Sequence, residues 1–537
     1  MTSASKLIQQ GRKEELWMKY CGFLDLDLTE FMEIQERLLL EQIELLGKSM
    51  MGRMLMGDVI PSSMQEFRDV VPLTTYDDYV GYLENKREDV LPRKPHTWAH
   101  TSGRSGDFRF KWVPYTKKMY DRLGEVVVGS MILATSSKKG DLFLKPNDSI
   151  LLATAPSPYL SGLVSRSTQQ QMDVKFLPPL DSGEQMDFRE RISEGFKLGI
   201  KEGIDFFYGI PSVLVNIGEQ LEQGSGSLNF SWDMLRLNVL WRFLKGFYTA
   251  RIKKRNILPK DIWKVKGIMA GGADTTVYND PVHYYWGKRP LEGYGCTEGG
   301  ILAIQAWNYQ GMTFFPEDNF LEFIPHEEHK KSKEDPDYEP RTLLYDELEP
   351  GIYELVFTNF HGGIFTRYRV GDLFKVVALR DDDLGINLPQ VRFFSRSDDI
   401  INLAGFALLT ENDLMQAIEL SDVDYYEWVA RKEIENNKAY LHIFLEIKSV
   451  NNIDPDQLKS EITNHLRKIN PDYEDLENML TYNALKLSLL NPGAFGAYMD
   501  YQQSQGADLA HTKPPHMKPT KKQITRLIKG RRMNTEQ

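Results

Sequence analysis

Met32, Leu39, Ile43, Leu46 and Met50 follow one another at intervals that keep them on one helical face. Phe31 to Met50 is therefore predicted as an amphipathic helix lying on a core. Asp69-Val70-Val71-Pro72 predicts a turn into a second helix over Thr74 to Glu84. Leu151 to Ala153 and Asp205 to Tyr208 are short apolar runs, each closed by Pro or Gly, and Tyr353 to Thr358 reads as a further strand. Their alternation with helical stretches such as Phe188 to Leu198 predicts parallel α/β layering. Gly224-Ser225-Gly226-Ser227 reads as a surface linker. His326 to Arg341 is charged and Pro-containing and reads as an exposed insertion; its His326-Glu327-Glu328-His329 lacks the spacing of a zinc helix and is expected in a solvated loop.

The pattern changes near Ser395. Tyr425 to Ala430 and Ala439 to Ile447 read as strands around a Glu435-Asn436-Asn437 turn, and Asp456 to Ile469 as a helix after Asp454-Pro455. Thr410 with Asp413 forms a capping-box pattern opening a helix through Ile418. The fold class expected is α/β. A large multi-lobed N-terminal domain of layered sheets and helices (residues 1–395) precedes a smaller α+β C-terminal domain (396–537).

Composition narrows the function. At 537 residues the chain is too long for one simple core. Its net charge of −11 argues against gripping a phosphate backbone, so no nucleic-acid partner is expected. Cys21 and Cys296, the only cysteines, supply neither a disulfide framework nor a thiolate metal cage. Residues 1–19 have no signal-type apolar core, and no apolar run approaches the roughly 18 residues of a membrane span. A soluble, cytoplasmic monomer is expected. The basic tail, Lys518 to Arg532, reads as a solvated terminal helix.

Three segments suit phosphate and metal chemistry. In Thr101-Ser102-Gly103-Arg104-Ser105-Gly106-Asp107-Phe108-Arg109-Phe110-Lys111, small residues let backbone N–H groups close around phosphate oxygens, while Arg109 and Lys111 neutralise charge. No Gly-Lys-Ser/Thr closes a Walker loop, and alone the segment fits a plain turn as well. In Tyr294-Gly295-Cys296-Thr297-Glu298-Gly299-Gly300, preceded by Gly271-Gly272-Ala273, a hydroxyl beside a carboxylate can meet an α-phosphate and Mg²⁺ together. A strand-end turn with an exposed Glu is the plainer alternative, and Cys296 reads as a packed residue rather than a nucleophile. In Phe365-Thr366-Arg367-Tyr368-Arg369-Val370-Gly371-Asp372, the Asp372 carboxylate can accept from both hydroxyls of a ribose; an Arg–Asp structural pair is the alternative.

These segments, in this order, resemble the motifs of the adenylate-forming superfamily. Arg396 and Ser397-Asp398-Asp399, followed by Gly405-Phe406, resemble its hinge segment. The chain is similar more specifically to the Gretchen Hagen family of acyl-acid amido synthetases. That resemblance runs through 67–82 (FRDVVPLTTYDDYVGY), Tyr208-Gly209-Ile210-Pro211-Ser212, Leu321-Glu322-Phe323-Ile324-Pro325 and Gly405 to Asn412. It continues through Gly493-Ala494-Phe495, Asp500-Tyr501, Gly506-Ala507 and His511-Thr512-Lys513-Pro514-Pro515, and so covers nearly the whole chain.

The resemblance implies a role for each matching position. Ser102, Arg104 and Ser105, with Gly103 and Lys111 in the same loop, would line the β- and γ-phosphates of ATP. Thr297 would contact the α-phosphate, Glu298 would bind Mg²⁺, and Asp372 would hold the ribose. Gly272 and Tyr294 would border the adenine, with Arg396 at the hinge completing the nucleotide set. Lys513, on a mobile small domain, would reach the phosphates or the acyl-adenylate, which makes Lys513, Thr297 and Glu298 the catalytic candidates. The implied substrates are ATP, a small-molecule carboxylic acid and an amino acid's amine. Departures from the family pattern are Arg104 for Thr, Asn402 where acyl-CoA ligases carry Lys, His516 for Arg, and Thr366 as an insertion. An acyl-CoA ligase, and a non-catalytic descendant that only binds nucleotide or acyl acid, are the alternative readings.

Overall fold

A computed structural model describes the chain except residues 1, 58, 101–110, 187, 210, 224–236, 272–277, 336, 397–400, 404–406, 436–437, 449–453, 471–472, 475, 478–482, 505–513 and 530–537. It divides into two compact units, Met1–Phe394 and Ser395–Gln537. Among the described residues no helix is long and apolar enough to cross a membrane.

The first amphipathic helix runs Leu28–Gly47, starting and ending one turn earlier than its apolar spacing predicts. Asp27 accepts a hydrogen bond from the Glu30 N–H at 2.9 Å while Glu30 accepts one from the Asp27 N–H, a capping box that fixes the start. Ser49 caps a new helix, Met50–Met56, so Met50 is half-exposed rather than part of the buried stripe. Gly52 permits that corner: a Cβ there would lie 2.1 Å from the Leu46 carbonyl oxygen. On the buried face, Gln35 donates to the Pro316 and Asn319 carbonyls at 2.6 and 2.9 Å and accepts from the Leu321 N–H at 2.9 Å. Gln42 does the same for Gly363 and Gly362, both at 2.8 Å. The second expected helix spans only Asp77–Leu83, because Thr74 instead pairs its backbone with Arg367 and Arg369.

A two-stranded ribbon, β1 (Thr97–His100) and β2 (Trp112–Tyr115), flanks an eleven-stranded sheet. Its parallel half holds β3 (Asp148–Ala153), β4 (Val174–Leu177), β5 (Phe206–Gly209), β6 (Gly267–Gly271) and β7 (Pro290–Cys296). Ile150, Leu152 and Phe206 face one apolar cluster, and Leu151, Ala153 and Phe207 the other, as burial on both faces of a parallel sheet requires. The other half comprises β8 (Gly300–Gln305), β9 (Met312–Phe314), β10 (Asn319–Pro325), β11 (Gly351–Asn359), β12 (Tyr368–Ala378) and β13 (Gln390–Arg396). The strand order is β10-β11-β12-β13-β9-β8-β7-β6-β5-β3-β4.

The segment expected to be a solvated insertion is instead a helix, His326–Glu334. His329 is buried with its Nδ1 2.6 Å from Glu354, and Arg369 grips the same carboxylate at 3.0 and 2.7 Å. Burial raises the Glu354 pKa, but the hydrogen bonds from His329 and Arg369 outweigh it and hold the group below its ordinary range. The run of surface charge hid one inward-facing imidazole. Arg369 thus pairs with Glu354 rather than Asp372. Beside it, buried Arg367 (φ 44) binds Glu322 at 3.0 and 2.8 Å and donates to the Arg68 and Val71 carbonyls.

The second unit holds a hairpin, β14 (Ile401–Leu403) and β15 (Ala407–Leu409), and a sheet of β16 (Tyr425–Glu435), β17 (Lys438–Ile447) and β18 (Leu485–Leu490). Thr410 and Asp413 form the expected capping box on the helix Glu411–Glu419, and Asp454 caps Pro455–Ile469. The tail helix, Lys521–Lys529, is docked rather than solvated: it buries Ile524 and Leu527 against Phe495 and Tyr498. His516 ties the preceding segment down. Its backbone carbonyl accepts from Ala430 at 2.6 Å, its ring stacks on Trp428, and its two nitrogens engage Glu411 and Glu427. Burial depresses the imidazole pKa, but the Glu427 charge, the hydrogen bonds to both carboxylates and the Glu411 charge outweigh it and raise the pKa to about 10.

Two outcomes follow from these buried pairs. Arg367→Ala leaves the buried Glu322 with only Arg68, 3.5 Å away, as its cation, so the stability measured by urea unfolding should fall by about 3 kcal/mol; Arg12→Ala, which breaks only an exposed pair with Glu15, should lose under about 1 kcal/mol. For His516 the folded pKa lies above the unfolded value, so its stabilisation is complete below about pH 6.5 and is lost as pH rises through about 10. The thermal midpoint of His516→Gln should lie well below the parent's at pH 6 and coincide with it near pH 11. A gap that stays constant with pH contradicts the charged clamp.

Candidate active site

The C-terminal end of β7 lies where the sheet changes from parallel to antiparallel, and in open α/β sheets ligands bind outside the carboxyl ends of the strands. Thr297-Glu298-Gly299 turn there into β8. The turn is made by glycines: Gly300 has φ +77, and a Cβ on Gly295 would lie 2.7 Å from the Gly300 carbonyl oxygen. All three carbonyls of the turn are held. Tyr115 donates to Thr297 O at 2.6 Å, Asn359 to Glu298 O at 3.0 Å, and Asn319 to Gly299 O at 2.9 Å. Asn359 also donates to Asn319 at 2.9 Å, joining two of these supports.

The Glu298 carboxylate is buried. Tyr368 donates to its Oε1 at 3.1 Å, and the Lys111 ammonium lies 3.9 Å from the same oxygen. Burial and the charge of Glu298 push the Tyr368 phenol well above its ordinary pKa, so it stays a neutral donor. Tyr115 is held neutral likewise, chiefly by burial. Lys111 also stands over the Tyr76 ring, 5.2 Å from its centroid.

Asp372 follows Gly371, whose φ of +78 turns β12 at that point. The carboxylate is buried, and its Oδ2 accepts from the Tyr294 hydroxyl at 2.5 Å. The Tyr294 ring is buried edge-on to Phe374 and stacked with Phe393. Tyr294 therefore physically links the second motif to the third.

The structure brings Lys111, Tyr294, Thr297, Glu298 and Asp372 into one neighbourhood through these contacts. Cys296 is partly buried against the core. Ser102, Gly103, Arg104, Ser105, Gly272 and Lys513 lie outside the described residues, and of Arg396 only the backbone, ending β13, is described. Sequence reasoning gave no role to Tyr115, Asn319, Asn359 or Tyr368. The signal for the asparagines was a lone amide at the end of an apolar strand. Tyr368 stood unassigned inside a quoted motif.

The donor set fits magnesium-bound nucleotide. Among the described residues no cluster of three or more His, Cys, Asp or Glu could cage a metal alone. One buried carboxylate suits an ion that takes most of its ligands from phosphate and water, and the Lys111 ammonium beside it suits the phosphate oxygens.

Comparison with known proteins gives the chain its kinship. Models of the GH3 family N-terminal, central and C-terminal domains match residues 22–153, 312–396 and 411–522, together more than half of the chain. The probable indole-3-acetic acid-amido synthetase GH3.7 of Oryza sativa subsp. japonica is 29% identical over 180 residues, covering 30% of this chain and 27% of that protein. Indole-3-acetic acid-amido synthetase GH3.8 of Oryza sativa subsp. indica is 26% identical over 218 residues, 38% of this chain and 34% of its own length. The matches thus span about a third of these relatives. The acyl acid amido synthetase AtGH3.15, solved in complex with 2,4-DB, shares the fold at a TM-score of 0.66 and 17% identity, over 92% of this chain and 93% of that one. A 2-hydroxyisobutyryl-CoA ligase does so at 0.52 and 14% identity, over 92% and 87%. With consecutive domain models of one family matched in order along it, the chain belongs to the GH3 family.

Proposed function

We propose that this protein is an ATP-dependent acyl-acid amido synthetase, which activates a carboxylic acid as acyl-AMP and transfers the acyl group to an amine of an amino acid. The observation that carries the reading is the Thr297-Glu298-Gly299 turn, fixed through its backbone and linked to Asp372 by Tyr294. Family membership and the names of the matched relatives support it.

In this reading Asp372 accepts the ribose hydroxyls, with Tyr294 orienting the carboxylate. Thr297 meets the α-phosphate, and Lys111 with Ser102, Gly103, Arg104 and Ser105 binds the outer phosphates. Arg104 brings a forked donor where the family has a hydroxyl. Gly272 leaves room beside the adenine, and Arg396 stands at the junction between residues 1–395 and the mobile small domain, 396–537. Glu298 would hold Mg²⁺, which neutralises phosphate charge when bound. The acid's carboxylate attacks the α-phosphorus and pyrophosphate leaves. Binding and alignment of the reactants account for most of the protein's contribution. Lys513 stabilises charge growing on the α-phosphate in that step and withdraws before the amine attacks the acyl carbon. The reading takes the protein as a cytoplasmic monomer; Cys21 and Cys296 form no disulfide, which suits a reducing compartment. Transfer to coenzyme A is the competing outcome, favoured by the fold shared with a CoA ligase.

Glu298→Ala and Asp372→Ala should each suppress acid-dependent ATP–pyrophosphate exchange at least roughly 10²-fold, about 2.7 kcal/mol of barrier. Near-normal exchange in folded variants removes both from the site. Lys513→Ala should slow acyl-AMP formation about 10- to 150-fold yet discharge supplied acyl-AMP onto the amine at near-normal rate. Equal damage to both steps makes Lys513 a docking residue, and no effect returns it to the surface.

A further inference from the structure

The helix Leu237–Ile252 has two apolar faces, and among the described residues only one is covered. Val239, Phe243 and Ala250 pack inward and are nearly fully buried. At the helical spacing opposite them stand Leu240, Trp241, Leu244, Phe247, Tyr248 and Ile252, with Trp241 71%, Tyr248 69% and Leu244 60% exposed. A stripe of six large apolar side chains, three of them aromatic, is far more than the scattered apolar residues of an ordinary surface.

Its charge is equally biased. No Asp or Glu occurs from Leu237 to Lys260, although the whole chain carries −11. Lys245 borders the stripe, Arg251 stands within its last turn, and Lys253 and Lys254 continue from its end. Arg255 is committed to Asp261 at 2.7 and 2.9 Å and is not counted. A second copy of the chain would bring the same cations against these in a two-fold contact, which repulsion disfavours. Aromatic and aliphatic residues flanked by Lys and Arg match the boundary of an anionic bilayer, where rings and methyls enter the acyl edge and cations meet headgroup phosphates.

We infer that Leu237–Ile252 is an interfacial helix that docks the protein peripherally on anionic phospholipid, with Trp241, Leu244 and Tyr248 as the inserting side chains. These residues lie outside the nucleotide site, so the inference does not depend on the proposed reaction.

The test uses the full-length protein and vesicles of phosphatidylcholine with and without phosphatidylserine. Sedimentation should show binding to the anionic vesicles and little to the neutral ones, with affinity falling as salt rises. Lys253→Gln and Lys254→Gln should each weaken it roughly fivefold. The triple variant Trp241→Ser, Leu244→Ser, Tyr248→Ser should abolish binding while keeping the parent's thermal midpoint, because these side chains are exposed. The emission lost in Trp241→Phe should shift to the blue when vesicles are added to the parent protein. Three results overturn the inference: no binding to anionic vesicles, a Trp241 already shielded from acrylamide without lipid, or a concentration-dependent dimer abolished by the triple variant.

Discussion

The backbone carbonyls of residues 297–299 point into protein, and each is met by a side chain from a different part of the chain. A buried carbonyl without a donor costs about 1–3 kcal/mol, so the turn is stable only where Tyr115, Asn359 and Asn319 are all in place. That requirement couples the ribbon, the end of β11 and the start of β10 to the loop leaving β7. The sheet order separates β7 from β12 by three strands, yet Tyr294 reaches Asp372 and Tyr368 reaches Glu298. The antiparallel half must therefore curve back over the end of the parallel half. The candidate site is where that curve closes.

The supports are themselves supported. Asn319 and its neighbours receive Gln35 from the helix Leu28–Gly47, and the loop after β11 receives Gln42 from the same helix. Two amides on an otherwise apolar helical face would be costly if unsatisfied. Here each has donor and acceptor roles filled, which makes them specifiers of register between helix and strands. The buried Arg367–Glu322 pair and the His329–Glu354–Arg369 cluster do comparable work at β10, β11 and β12. Rigidity at Glu298 and Asp372 is thus built from polar contacts through a largely apolar core.

Signals carried by neighbours in sequence were legible. Thr410 with Asp413 closes its capping box within three residues, the strands 425–430 and 439–447 show in short apolar runs, and the glycine-flanked Glu298 and Asp372 stand out in compact motifs. What depended on distant partners was not. Tyr115 and Asn359 lie 182 and 61 residues from the carbonyls they hold, and nothing local marks Tyr115, while Asn359 shows only as a lone amide ending an apolar strand. The helix His326–Glu334 was hidden because its surface charge outweighed the one buried His329. The tail helix was misjudged as solvated because Ile524 and Leu527 are few among its cations.

The account stands or falls on whether carboxylate oxygen meets the α-phosphorus of ATP at this turn. A carboxylic-acid substrate labelled with oxygen-18 in its carboxylate, turned over with ATP, Mg²⁺ and an amino acid, reads that bond directly by mass spectrometry. The account predicts AMP carrying one labelled oxygen, unlabelled pyrophosphate, and an amide retaining the other label. Label in inorganic phosphate released alongside ADP, or AMP without label, would contradict it.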